Sequence, residues 1–148
     1  MAATLTQSPN LFVLNGDTYC DYDLRRIVEA HVTNTAAATL WLSRVNDPRR
    51  FGSVVIDAQG RILRFREKSA AKGGQLANAG VYLLRRNVVS TIPSDQVVSL
   101  ELEVFPALIG KGLYGVEGSG SFVDIGTPES LERASDALEG ELDGLNCD

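Results

Sequence analysis

The sequence predicts an α/β domain with a mixed, mostly parallel sheet, a β-hairpin and flanking helices. Three observations favour this class. A short apolar run at 11–14 precedes a segment with helical spacing, the segment 37–45 contains an unbroken apolar run at 40–42, and two strand-like runs flank a turn at 57–60. Strands that alternate with helices are typical of α/β folds, and unbroken apolar strands are typical of sheets covered on both faces.

The first elements form a strand, helix and strand. Residues 11–14 predict a buried strand, and either Asp21 or Asp23 is suited to cap the helix that follows. The run 37–45 then predicts a buried parallel strand. The apolar residues of the helix recur at helical spacing, ahead of a stop at Asn34: Leu24, Ile27, Val28 and Val32.

The middle of the chain predicts antiparallel structure. Residues 53–56 and 61–65 flank a turn that ends in glycine, the pattern of a hairpin. A glycine-containing loop at 69–75 separates this hairpin from a strand at 76–84.

The last part predicts a helix, two strands and another helix. Ser99 is suited to cap a helix at 100–109, which Pro106 should bend or split. Strands follow at 113–117 and 121–125. The final helix is capped by Thr127, starts with Pro128 and carries one apolar stripe: Leu131, Ala134 and Leu138. We therefore expect one domain at 1–138 and an acidic tail at 139–148.

Composition narrows the functional classes. The net charge is −5, but residues 44–86 carry ten basic and three acidic side chains. A cationic segment inside an acidic protein suits a small phosphorylated ligand better than nucleic acid, which usually meets a broad basic face. No stretch reaches the ~20 apolar residues of a membrane span, and the first residues lack a secretory signal pattern, so we expect a cytoplasmic protein. Cys20 and Cys147 show no metal-binding or disulfide spacing.

Two aspartates follow predicted strands. Asp17 comes after the run at 11–14, and Asp124 comes after the run at 121–123. Ligands of open α/β sheets bind beyond the carboxyl ends of the strands, and Mg²⁺ is usually held by one or two carboxylates with substrate phosphates. The alternative is that Asp17 caps the next helix and Asp124 is a turn residue.

Three other residues have a structural interpretation. His31, the single histidine, is expected to be a surface or boundary residue of the first helix. Trp41 and Tyr82 lie in apolar strands and are expected to pack in the core.

Five strings occur in the order seen in sugar-1-phosphate nucleotidyltransferases. They are LNGDTY at 14–19, RRFGSV at 49–54, FREK at 65–68, NAGVYLL at 78–84 and FVDIGTPE at 122–129. The sequence therefore resembles this family, and the segment 98–115 most resembles its D-glycero-D-manno-heptose 1-phosphate guanylyltransferase branch. The resemblance implies an incomplete Rossmann-like nucleotidyltransferase fold.

The resemblance also implies a reaction. A sugar phosphate, heptose or mannose 1-phosphate, would attack the α-phosphorus of a nucleoside triphosphate, GTP by the finer match, and release pyrophosphate. By the matched motifs the catalytic residues are Asp17, Lys68 and Asp124, and the two aspartates hold Mg²⁺. Lys68 would contact the sugar phosphate, while Glu67 and Asn78 would hydrogen-bond sugar hydroxyls. The substrate-binding residues are Gly52, Glu67, Lys68, Asn78 and Gly80.

One part of the family pattern is not found in this sequence. The family begins with a glycine-rich loop that binds the triphosphate, and no such segment precedes 11–14 here. We expect the strand at 11–14 to present an apolar edge, and hence a homo-oligomer or a complementary chain. Unless another chain supplies the nucleotide half, we expect this chain to be inactive. The alternative function is a noncatalytic remnant that binds sugar phosphate or a protein partner.

Overall fold

The computed structural model describes residues 7–45, 53–66 and 75–126, together with 130, 131 and 134. The strands are β1 (Asn10–Leu14), β2 (Thr18–Cys20), β3 (Ala38–Val45), β4 (Ser53–Ile56), β5 (Ile62–Arg66), β6 (Gln75–Arg85), β7 (Leu113–Gly118) and β8 (Phe122–Asp124). The helices are α1 (Leu24–Thr33), α2 (Arg86–Ser90), a π-helical segment (Leu100–Val104) and α3 (Phe105–Leu108). Residues 130, 131 and 134 are also helical.

The long strand β6 organises the main sheet. The strand order is β5–β4–β6–β3–β7, and β1 also pairs with β6. Because β3 lies along one edge of β6, β1 and β4 share the other edge: β1 pairs with residues 81–85 and β4 with residues 76–77. This arrangement confirms the α/β class with a mixed sheet.

The expected strand directions need a correction. Among the described strands only β3 and β7 pair in parallel, and the remaining pairings are antiparallel. The expectation of a mostly parallel sheet was therefore wrong. The reason is that β6 runs opposite to all three of its neighbours, and β4 and β5 form a hairpin.

Two apolar layers cover the sheet. On one face, Tyr82, Leu84 and Leu40 pack with Phe105 of α3, whose ring meets the Tyr82 ring edge-on at 4.9 Å between centroids. On the other face, α1 covers a second cluster that includes Ile27, Trp41, Val81 and Leu83. The core positions expected for Trp41 and Tyr82 are confirmed, since they are 3% and 1% exposed.

Several local predictions are confirmed. Asp23, rather than Asp21, caps α1 by accepting from the backbone N–H groups of Arg25 and Arg26. Asn34 closes that helix. The helix expected at 100–109 is split into the π-helical segment and α3. Pro106 lies in the first turn of α3, where its missing N–H removes no hydrogen bond within the helix.

Other predictions are wrong or incomplete. His31 is buried rather than at the surface. Leu131 is exposed, whereas Ser130 and Ala134, four residues apart and so on one helix face, are buried. The short elements β2 and α2 were not predicted. The proposed cap at Thr127, the residue Leu138 and the tail at 139–148 lie outside the described residues.

Cys20 is a buried free thiol. Its Sγ donates to the carbonyl oxygen of Ala79 at 3.6 Å. Burial, and secondarily the nearby Asp21 carboxylate, raises the pKa of this thiol to about 11. The protonated form therefore dominates near neutral pH, and the thiol is a poor nucleophile.

No helix in the described part of the chain is long and apolar enough to cross a lipid bilayer.

Candidate active site

The backbones that carry Asp17 and Asp124 lie side by side. Thr18 of β2 is paired with Asp124 of β8, and the N–H of Ile125 donates to the carbonyl oxygen of Asp17 at 2.9 Å. Two short strands thus join positions separated by more than a hundred residues. Because Asp23 caps α1, the alternative role of Asp17 as that helix cap is wrong.

Gly80 shapes the middle of β6 next to this point. Its φ is +73°, and the pairing of β3 with β6 shifts there, with one residue of β3, Trp41, opposite three of β6, residues 79–81. The Gly80 carbonyl accepts from the N–H of Asn15 at 2.8 Å. A Cβ on Gly80 would lie 2.9 Å from the Cβ of Asn15, so only glycine fits this bulge without displacing the segment that leads to Asp17.

A polar cluster of Asn78, Tyr82 and Glu101 lies beside the Gly80 bulge, on the face of the sheet that α3 covers. The Nδ2 of Asn78 donates to the Tyr82 hydroxyl and to Oε1 of Glu101, both at 2.8 Å. The Tyr82 hydroxyl in turn donates to Oε1 of Glu101 at 2.9 Å. Burial, followed by the Glu101 charge, raises the pKa of Tyr82, so its phenol stays a neutral donor.

The backbone before Glu101 is fixed by reciprocal capping. The hydroxyl of Ser99 accepts from the N–H of Leu102 at 3.1 Å, and the N–H of Ser99 donates to Oε1 of Glu103 at 2.9 Å. Such reciprocal bonds satisfy donors at a helix start. They fix the local backbone of the π-helical segment that carries Glu101.

The structure thus brings together part of the expected site. Asp17, Asn78, Gly80 and the backbone of Asp124 lie around β2, β8 and the bulge of β6. Gly52, Glu67 and Lys68 lie outside the described residues, so their expected roles stay predictions. Within 7–45, 53–66 and 75–126 there is no group of three or more Asp, Glu, His or Cys side chains that could hold a metal ion.

Sequence reasoning missed two members of the polar cluster. Tyr82 was assigned only to the core, although its hydroxyl has polar partners, and Glu101 received no role. A signal was present for both: Glu101 lies within the segment 98–115 used for the finer resemblance, and Tyr82 is four residues from Asn78. Only the bulge in β6 and the π-helical segment bring the three side chains into contact.

Comparison with known proteins identifies the family. The protein family described as "Nucleotidyl transferase" matches residues 1–141. The chain belongs to the nucleotidyl transferase family. The resemblance to sugar-1-phosphate nucleotidyltransferases expected from the five strings is thereby confirmed.

Curated relatives of this nucleotidyl transferase chain include mannose-1-phosphate guanylyltransferases. The Mycobacterium tuberculosis enzyme is 42% identical over 126 residues, which are 83% of this chain and 35% of that protein. A probable mannose-1-phosphate guanylyltransferase 3 of Arabidopsis thaliana is 38% identical over 120 residues, or 80% of this chain and 36% of that protein. The chain therefore spans about a third of the length of these relatives.

Solved structures of the same fold cover nearly the whole chain. HddC from Yersinia pseudotuberculosis has a TM-score of 0.77 and 27% identity, over 93% of this chain and 59% of HddC. HddC has also been solved in complex with GMP-PN. A putative glucose-1-phosphate thymidylyltransferase from Bacillus anthracis has a TM-score of 0.74 and 27% identity, over 92% of this chain and 57% of that chain.

Proposed function

We propose that this chain forms the sugar-binding and metal-binding part of a sugar-1-phosphate guanylyltransferase. The reaction would transfer GMP from GTP to mannose or heptose 1-phosphate: a phosphate oxygen of the sugar attacks the α-phosphorus, and pyrophosphate leaves. The observation that carries this proposal is the pairing of β2 with β8, which joins the backbones of Asp17 and Asp124 in a chain with nucleotidyl transferase relatives.

Enzymes of this family commonly use a divalent metal ion, and we propose Mg²⁺ here. Asp17 and Asp124 suit such an ion because carboxylate oxygens are the ligands that Mg²⁺ prefers, and the paired strand ends support a shared site. The metal would stabilise charge on the phosphates during the transfer. Phosphoryl-group transfer relies on positioning and charge stabilisation, so no protein nucleophile is required.

The remaining assignments follow the matched motifs. Lys68 would bind the phosphate of the sugar substrate, and Glu67 would accept a hydrogen bond from a sugar hydroxyl. Gly52 would let the backbone approach the ligand. The φ of Gly80 and its contact with Asn15 give this glycine a structural reason, and the corresponding role toward the ligand follows the motif alone.

The outer edge of β1 is the proposed joining edge for a second chain or a second copy. Among the strands that the structure describes, β1 pairs only with β6. Phe12 and Leu14 are 39% and 51% exposed. They lie opposite Leu83 and Val81 in the register, and so on the α1 face of the sheet.

An apolar stripe of α1 extends this edge. At 100° per residue, three partly exposed residues of α1 fall on one flank: Leu24, Val28 and Val32. This flank is beside His31, which contacts Asn10 of β1, and opposite Arg26, which donates to the carbonyl of Glu117 on β7. The stripe therefore faces the β1 side. Such a surface fits a strand paired with β1 and a helix packed against α1.

The test of the proposed function is pyrophosphate release. The chain is incubated with GTP, Mg²⁺ and either mannose 1-phosphate or heptose 1-phosphate, alone and with the part of a relative that precedes the matched region. Turnover that is abolished by Asp17→Ala and retained by Asp95→Ala, a matched exposed aspartate, would support the guanylyltransferase. A flat trace under all conditions, with sugar-phosphate binding retained, would instead support the noncatalytic remnant.

A further inference from the structure

The side chain of Asn78 has little hydrogen-bonding capacity left for a ligand. Both hydrogens of Nδ2 are used, one by the Tyr82 hydroxyl and one by Glu101, and Oδ1 accepts from the N–H of Gly80 at 3.2 Å. The orientation of the amide is set by these partners, because a carboxylate can only accept and an N–H can only donate. Asn78 could therefore meet a sugar hydroxyl only through the second lone pair of Oδ1.

Unlike Asn78, Glu101 keeps a side-chain oxygen that can accept a hydrogen bond from a ligand. Its Oε1 accepts from two donors that are both fixed to β6, the Asn78 amide and the buried Tyr82 hydroxyl. Within the described part of the chain, Oε2 has no hydrogen-bond partner, and the residue is exposed. A charged acceptor is thus held in one orientation with its second oxygen open to a ligand.

The location of Glu101 relates it to the candidate site. Asn78 lies two residues from Gly80, and the backbone of Gly80 is bonded to Asn15, two residues before Asp17. The Tyr82 ring, which fixes the other side of Glu101, packs on Phe105 just beyond the π-helical segment. The carboxylate is therefore anchored to the same bulge of β6 that adjoins the aspartate-bearing loop.

We propose that Glu101 is a specificity-determining residue that accepts a hydrogen bond from a ring hydroxyl of the sugar 1-phosphate. In this arrangement Asn78 and Tyr82 are positioning residues, which orient the carboxylate through Oε1. The inference rests on the proposed function, since it names the group that recognises the sugar of that reaction. A hydrogen bond to a charged group is stronger than one between neutral groups, so its loss should be measurable as weaker binding.

The experiment is calorimetric binding of mannose 1-phosphate to the full chain. We expect Glu101→Gln to weaken binding about tenfold, because the amide keeps the shape but loses the charge. The matched control is Glu103→Gln, which changes a carboxylate two residues away that caps Ser99. Thermal unfolding of each variant shows whether the fold is retained.

A set of monodeoxy sugar 1-phosphates separates recognition from a structural role. For the wild type, removal of the recognised hydroxyl should weaken binding, whereas for Glu101→Gln the same removal should have much less effect. Tyr82→Phe alone should weaken binding of mannose 1-phosphate. Combined with Glu101→Ala, it should cause little further loss of affinity.

The outcomes distinguish the two proposals. Wild-type binding that Glu101→Gln leaves unchanged would overturn the role of Glu101 and leave the proposed function standing. The role of Glu101 is also overturned if each deoxy analogue loses as much affinity in the Glu101→Gln variant as it does in the wild type. If the wild-type chain binds no sugar 1-phosphate, the proposed function itself is contradicted, and the role of Glu101 with it.

Discussion

His31 is buried on α1 and makes two hydrogen bonds, one to β3 and one to β1. Its Nδ1 lies 2.9 Å from the hydroxyl of Thr39, and its Nε2 lies 3.2 Å from Oδ1 of Asn10. Because the amide oxygen of Asn10 can only accept, Nε2 carries the hydrogen and Nδ1 accepts from Thr39. The neutral ring therefore satisfies both contacts and ties α1 to β1 and β3.

The stability of the protein should depend on pH through His31. Burial, with the nearby charge of Arg85 as a second cause, lowers the pKa of His31 below its ordinary value of 6.5. The unfolded chain then binds a proton at His31 more readily than the folded chain does. The stabilisation that the neutral ring provides is therefore fully present above about pH 6.5, and it is lost as the pH falls toward the folded-state pKa. We expect the free energy of unfolding to fall by up to about 1.4 kcal/mol per pH unit in that window.

Urea denaturation between pH 7.5 and 5 measures this dependence. His31→Gln removes the titrating group, so its stability should change less steeply below pH 6.5 than that of the wild type. Parallel curves for the two proteins over the whole range would contradict the prediction.

At the residue scale, sequence reasoning singled out candidate residues but not their surroundings in the fold. Asp17 and Asn78 were singled out by residue type and motif, and both lie at the candidate site. The burial of His31 was missed because its partners Asn10 and Thr39 come from β1 and β3, which local helical spacing does not reveal. The role inferred for Glu101 likewise depends on contacts across the fold.

The start of α1 depends on a single side chain. Oδ1 of Asp23 accepts from the N–H of Arg25 at 2.8 Å and from that of Arg26 at 3.3 Å. These N–H groups have no partner within the helix. The sequence left Asp21 and Asp23 as alternatives, and the extended backbone at Asp23 decides between them.

We expect Asp23→Ala to lower the free energy of unfolding by about 1 kcal/mol, because the first turn of α1 loses its cap. Asp21→Ala is the matched control, since that residue is also an exposed aspartate before α1. Chemical denaturation of both variants measures the difference. Equal destabilisation by the two substitutions would refute the assignment of Asp23 as the cap.

At the element scale, elements with a strong local pattern were predicted well. The helix at 24–33, the hairpin of β4 and β5, and the strand β6 follow from periodicity and turn residues. The three-residue strand β2 is stabilised by pairing with β8 and has no local signal of its own. The bulge of β6 had a local hint in Gly80, but its position requires the pairings with both β1 and β3.

For the whole molecule, the surface formed by β1 and α1 predicts association. Leu14→Lys or Val28→Lys places a charge on this surface, so either should reduce self-association or the capture of a complementary nucleotidyl transferase segment. Leu63→Lys is a suitable control because Leu63 on β5 is 51% exposed, as Leu14 is. Light scattering over a wide range of concentrations gives the molar mass of each variant.

A clean monomer for the wild type at every concentration, together with no capture of the complementary segment, would count against this surface as a joining edge. Association that Leu63→Lys disrupts as strongly as Leu14→Lys would place the contact elsewhere.

The sequence by itself determined the class of fold, most element positions and the family, and it singled out two aspartates as candidates, because these depend on local periodicity, turn chemistry and motif order. Tertiary structure decided the largely antiparallel directions of the sheet, the meeting of β2 with β8, and the cluster of Asn78, Tyr82 and Glu101. The physical reason is that strand partners and buried polar contacts join residues far apart in the chain. Their identity depends on which surfaces pack together, and no local pattern encodes that.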